Sequence, residues 1–161
     1  MRALVVTVST RAASGVYPDR SGPVIVEALT GLGFEVDGPQ VVPDGPEIES
    51  VLSSAVHDGY DVVLTTGGTG LSPTDVTPEH TQAVVRRVVP GIADAVRRAG
   101  LDSGVPTAAL SRGVAGIAGS TLIVNLPGSP GGVRDGLTVL VPILVHAVEQ
   151  ISGGGDHGVT S

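Results

Sequence analysis

Apolar positions along the chain alternate between near-continuous runs and a spacing of three and four. Residues 3–8 (ALVVTV) are almost unbroken apolar, the pattern of a strand buried on both faces. After a loop over 9–20, Ser21 and Pro23 signal a helix start. Val24, Ile25, Ala28, Leu29 and Leu32 then share one stripe, and Gly33 supplies the stop. Residues 34–42 read as a second strand. Asp44 and Glu47 have the spacing of a helix cap, with Pro46 tolerated in the first turn. Ile48, Val51, Leu52, Ala55 and Val56 follow at helical spacing. Residues 61–65 make a third strand. Thr77 and Pro78 open a helix through residue 88, and residues 91–99 make another. Residues 114–117 and 121–125 read as strands around a turn at Gly119-Ser120. Residues 131–151 are helical, with Val133, Leu137, Leu140, Leu144, Val145 and Val148 on one face. Pro142 has no amide hydrogen to donate and crowds the preceding turn, so this helix should bend or split near residue 140.

Strands alternating with helices predict an α/β fold, a three-layer sandwich with a mostly parallel central sheet and helices on both faces. The 161 residues suit a single domain over 1–152, followed by a flexible Gly-rich tail over 153–161. No repeat or linker divides the chain.

Composition narrows the functional classes. With 41% hydrophobic and 16% charged residues the chain is globular in type. No apolar run approaches the ~20 residues needed to span a bilayer. The opening MRALVVTVS is too short for a signal peptide and reads as a first strand. Cysteine is absent, which excludes disulfides and thiolate metal sites and fits a cytoplasmic location. A net charge of −7 and 2% aromatic residues argue against a nucleic-acid surface. Lysine is also absent, so every fixed cation is an arginine. Arg86, Arg87, Arg97 and Arg98 fall in predicted helices as solvated faces. Arg11, Arg20, Arg112 and Arg134 fall in loops or at element starts, where guanidinium forks suit an anionic ligand.

The most informative run is LTTGGTGLSPTD at 64–75. Gly67, Gly68 and Gly70 let the main chain turn with φ > 0 and bring its N–H groups close to a ligand. Thr65, Thr66 and Thr69 add hydroxyls, and the helix start at Thr77 lies just beyond. Together these make an anion site. Asp75 closes the run, and a carboxylate beside phosphate calls for a metal between them. The run lacks the Gly-Lys-Ser/Thr of a P-loop and the glycine spacing of a dinucleotide fingerprint.

TTGGTG followed by SPTDVTPE resembles the MogA/MoaB family of molybdenum-cofactor proteins, which includes molybdopterin adenylyltransferases and the G domain of gephyrin. The likeness takes in SGVYPDRSGP (14–23), VVPD (41–44), LSRGVAGIAGSTLIVNLPGSP (110–130) and the closing helix. The resemblance implies an adenylyltransferase. Its reaction moves AMP from ATP to molybdopterin and releases pyrophosphate. The alternative within the family is a non-catalytic molybdopterin-binding or scaffold protein.

By the same resemblance Thr66, Gly67, Gly68, Thr69 and Gly70 hold nucleotide phosphates, and Asp75 holds Mg²⁺. Asp44 matches a functional aspartate, although a helix cap worth ~1 kcal/mol also explains it. Asp19 and Ser21 match a second, phosphate-facing loop that belongs to the molybdopterin-binding set, with Ser21 equally suited to cap the first helix. Ser111, Asn125, Pro127 and Gly128 match the pterin-side pocket. Thr74 stands where relatives often carry arginine, a departure that bears on nucleotide affinity. The histidines at 57, 80, 146 and 157 show no metal spacing. The resemblance further implies a homotrimer that hands its product to a molybdate-insertion protein.

Overall fold

The computed structural model describes residues 1–154. Most of the tail expected over 153–161 therefore lies outside the described residues. Six strands form one sheet in the order β2-β1-β3-β6-β5-β4. They are β1 (Arg2–Val8), β2 (Glu35–Val42), β3 (Val62–Thr66), β4 (Arg87–Val88), β5 (Ala115–Ala118) and β6 (Thr121–Leu126). Strands β2, β1, β3 and β6 run parallel, while β5 and β4 add an antiparallel margin.

Alternation of side chains along the strands divides the core in two. Ala3, Val5, Val62, Leu64, Leu122 and Val124 pack on one face. There they meet helices α2 (Gly22–Gly31), α5 (Pro90–Asp102), α6 (Pro130–Leu140) and α7 (Leu144–Ile151). Leu4, Val6, Val8, Val63 and Ile123 pack on the other face, against α3 (Glu47–His57) and α4 (Thr77–Val84). The three-layer sandwich is thus present, with helices on both faces.

Several local expectations are corrected. The helix expected through residue 88 ends at Val84, because Val85 turns extended and Arg87–Val88 pairs with β5. Arg86 N donates to Ile117 O and Val89 N to Ala115 O, which holds this short strand in place. The loop after β1 contains one helical turn, α1 (Thr10–Ala13), whose Ala12 N–H is capped by Ser9 Oγ at 3.1 Å. A 3₁₀ turn, Pro106–Leu110, occupies a stretch with no predicted element. The closing helix does break at Pro142, and its two halves meet at 59°. No single helix among the described residues is long and apolar enough to cross a membrane.

Candidate functional site

Strand β1 leads out to β2 on one side, and the chain then returns to place β3 on the other. Diverging loops at such a reversal open a crevice outside the carboxyl ends of the strands. Here that crevice lies between the loop after β1 (9–20), the loop after β2 and the TTGGTG loop after β3. It holds a cavity of about 890 Å³ lined by Arg11, Asp19, Arg20, Asp44, Thr66 and Gly67, among others. A second cavity of about 600 Å³ is lined by Thr69, Arg97, Ser111 and Pro127. Gly68, Asp75 and Gly128 border both, so the two spaces meet at the glycine loop.

The loop is built by close backbone approach. A Cβ on Gly67 would lie 2.2 Å from Val8 O, and Gly67 and Gly68 have φ of +95° and +64°. Only glycine accepts that combination. Gly67 N donates to Leu126 O at 3.2 Å, and Thr77 N and Oγ1 donate to Gly68 O and Gly67 O. The amides of Gly68, Thr69 and Gly70 donate to no acceptor among the described residues and border the cavities. Free N–H groups so placed suit an anion. The threonine hydroxyls serve differently from expectation. Thr65 Oγ1 accepts from Asn125, and Thr66 Oγ1 donates to Pro127 O at 2.6 Å, so both brace the scaffold.

Asp44 makes no capping bond to α3, whose N-cap position is Pro46. Its Oδ2 accepts from Thr10 Oγ1 at 2.9 Å, and its own amide donates back to that hydroxyl at 3.1 Å. The carboxylate thereby ties the first loop to the end of β2 while facing the larger cavity. Asp75 Oδ2 accepts from Ser72 N at 3.0 Å, and Oδ1 accepts from no described group. Asp19, by contrast, is fully engaged. Its Oδ1 accepts from the amides of Ser21 and Gly22, and its Oδ2 accepts from Thr7 Oγ1 at 2.7 Å. Asp19 thus caps α2, and Ser21, at the N-cap position, makes no capping bond. Ser21 Oγ instead donates to Gly128 O.

Among the described residues no three acidic, histidine or cysteine side chains gather as a closed metal cage. Mg²⁺ is commonly held by one or two carboxylates with phosphate oxygens and water completing the shell. Asp75, with a free oxygen and bordering both cavities, and Asp44, bordering the larger one with Gly68, fit that donor set.

The pterin-side set divides. Ser111, Pro127 and Gly128 line the second cavity, and Gly128 reaches the first. Asn125 lines neither. It is 3% exposed, and its Nδ2 donates to Thr65 Oγ1 and Thr81 Oγ1 while Oδ1 accepts from Val114 N. It fastens α4 and the approach to β5 onto the central strands. Its place on β6, in step with Ile123, turns it toward the α3–α4 layer.

The arginines also redistribute. Arg11 and Arg20 line the first cavity. Arg112 points its guanidinium at Gly70 O, Asp75 O and the Glu79 carboxylate. That contact lowers the Glu79 pKa. Arg134 is exposed and lines neither of these cavities. Arg97 is no solvated face: it donates to the carbonyls of Ser111 and Gly113 beneath the second cavity.

With free main-chain amides between two joined cavities and the Asp75 carboxylate at the seam, this α/β fold carries a site whose chemistry suits an anionic ligand. Residues 4–146 match the family described as a probable molybdopterin binding domain, and the chain belongs to that family, the MogA/MoaB group. It is 38% identical to gephyrin of Dictyostelium discoideum, over 92% of this chain and 22% of that one. It is 38% identical to the molybdopterin adenylyltransferase of Helicobacter pylori strain J99, over 92% of this chain and 86% of that one. A solved structure of MogA is 60% identical, with a TM-score of 0.91 over 94% of this chain and 99% of that one. The chain spans 22% of the gephyrin and about half, 49%, of the bifunctional molybdenum cofactor biosynthesis proteins it also matches. These relatives give the chain a role in molybdenum cofactor biosynthesis.

Proposed function

We propose that this chain is a molybdopterin adenylyltransferase. In that reaction the terminal phosphate of molybdopterin attacks the α-phosphorus of ATP. A new P–O bond forms, the bond to the β-phosphate oxygen breaks, and pyrophosphate leaves with its electron pair. The observation that carries the reading is the pair of cavities joined at Gly68, Asp75 and Gly128, one space for each reactant.

The amides of Gly68, Thr69 and Gly70 would hold phosphate oxygens without moving, which favours in-line alignment of two reactants. Arg11 and Arg20 would supply local positive charge on a chain of net charge −7. Asp75, with Asp44 on the same cavity, would hold Mg²⁺, which would supply positive charge against the repulsion between the two polyanions. Ser111, Pro127 and Gly128 would orient the pterin end. The homotrimer, the cytoplasmic location and the downstream molybdate-insertion protein belong to this proposal through the family resemblance.

A second reading, a non-catalytic pterin-binding protein, draws on Thr74. It lines the first cavity where relatives often carry arginine, so the charge there is lower. One experiment separates the two readings. Purified protein is incubated with molybdopterin, ATP and Mg²⁺, and the pterin is analysed for attached AMP. Adenylylated pterin is the expected product; bound but unmodified pterin would leave the scaffold reading.

A further inference from the structure

We propose that Arg112 is the positioning residue that sets the orientation of Asp75, by strapping together both ends of the Gly70–Asp75 loop. Leu71, Ser72, Pro73 and Thr74 are all exposed, so no core contact fixes them. The bonds within the turn are local: Asp75 N to Ser72 O, Ser72 N to Asp75 Oδ2, and Ser72 Oγ with Thr74 Oγ1. They give the turn its shape but do not anchor it to the sheet.

Arg112 supplies the anchor. Its amide donates to Thr69 O at 2.8 Å, its Nε to Gly70 O at 2.8 Å and its Nη2 to Asp75 O at 2.6 Å. The Nη1 group meets Glu79 in the first turn of α4. One planar group therefore fixes the entry of the loop, its exit and the following helix in a single frame. A lysine ammonium has neither the planarity nor the spread of donors to do this. The base of the strap is itself held, since Arg97 donates to Ser111 O and Gly113 O on either side of Arg112. Arg112 is thus spent on loop carbonyls instead of ligand phosphate. Asp75 keeps one oxygen free at a place that the loop alone would not define.

This inference rests on the proposed function only in the role given to Asp75, and its test has two arms. In the first, amide hydrogen exchange is followed at Ser72 and Asp75 in the wild type, Arg112→Lys and Arg112→Gln, with no ligand present. Exchange at both amides should rise at least tenfold in each variant, while amides of β1 and β3 stay within twofold. In the second, ATP binding is titrated with Mg²⁺ in the same proteins and in Asp75→Asn. The half-saturating Mg²⁺ concentration should rise at least tenfold in both Arg112 variants. Unchanged exchange in a folded Arg112→Lys protein would overturn the strap, as would an unchanged Mg²⁺ requirement alongside a shifted Asp75→Asn. Raised exchange with an Mg²⁺ requirement unmoved in Asp75→Asn would keep the strap and remove Asp75 from the metal site. Should Arg112→Gln fail to fold, Arg112→Lys and Glu79→Gln read the same amides with the charge at residue 112 retained.

Discussion

Ser21 Oγ donates to the Gly128 carbonyl at 2.8 Å, joining the loop after β1 to the loop after β6 across 107 residues of sequence. The serine is 5% exposed, whereas Gly128 lies at the surface where the two cavities meet. Two walls of the crevice are therefore locked to each other directly.

Ser21→Ala removes that lock without disturbing the α2 cap, which Asp19 provides. The freed Gly128 carbonyl can take water, so the stability loss should be about 0.5–1.5 kcal/mol. Both loops border ligand space, so KM for the pterin substrate should rise several-fold with kcat little changed. Urea unfolding and steady-state kinetics measure the two effects. Loss of stability with an unaltered KM would make the bond purely structural.

Asp75→Asn keeps the shape of the side chain and its acceptor for Ser72 N but removes the charge. Turnover should be abolished while pterin affinity stays within a few-fold, because the charge facing the phosphates is gone while Ser111, Pro127 and Gly128 keep their places. Product analysis paired with equilibrium pterin binding checks it. Full activity in this variant would take Asp75 out of the mechanism.

Glycines separate into required and replaceable ones. At Gly68, φ is +64° and an added Cβ would meet Thr77 Oγ1 at 2.3 Å and Asp44 Oδ1 at 3.0 Å. Gly68→Ala should cost roughly 1–3 kcal/mol from backbone strain alone, and weaken ATP binding because the loop amides shift. At Gly91, in the first turn of α5, an added Cβ would meet nothing within 4 Å. Gly91→Ala should add up to about 1 kcal/mol. Thermal melts of the two variants should move in opposite directions.

Apolar pattern is enough to read most of the fold from the chain, because β1 is an almost unbroken buried run and α2 and α3 each bury a regular stripe. The margin strand β4 was hidden, since VVRRVV continues a helical charge pattern and only pairing with Ile117 and Gly116 reveals it. The glycine loop and Asp75 were legible for a local reason: strand, turn and helix start are contiguous. Asp44 is legible in the sequence as a functional candidate that a helix cap could also explain; its partner Thr10, 34 positions away, is not. Arg112 and Arg97 were placed by charge alone, which says nothing about carbonyls brought near by the sheet. Asn125 shows the limit of motif reasoning, since NLPG places it beside pocket residues while strand alternation turns it inward.

Asn125→Ala gives that last point a test. It strips their partner from the Thr65 hydroxyl and the Val114 amide, while the Thr81 hydroxyl keeps its bond to Thr77 O. Each group left unsatisfied in the interior costs about 1–3 kcal/mol. The urea midpoint should fall sharply, yet protein still folded at low denaturant should bind pterin with near-native affinity. A selective loss of pterin binding at unchanged stability would return Asn125 to the pocket.

Acid stability offers a charge-specific check on the strap. The Arg112 contact holds the Glu79 carboxyl below its ordinary value of 4.5. A depressed native pKa means the unfolded chain takes up the proton first as pH falls. The ion pair therefore stabilises the fold fully above the unfolded value, and its contribution fades as pH drops toward the native one. Both partners are solvent-exposed to a degree, at 35% and 54%, so screening limits the contribution to about 0–1 kcal/mol. The stability difference between wild type and Glu79→Gln should be largest near pH 7, shrink below about pH 4.5 and shrink again in high salt. Urea titrations across that range measure it. A difference that instead grew on acidification would mean the Glu79 carboxyl is held above its ordinary value, and Arg112 would then have no anionic anchor on α4.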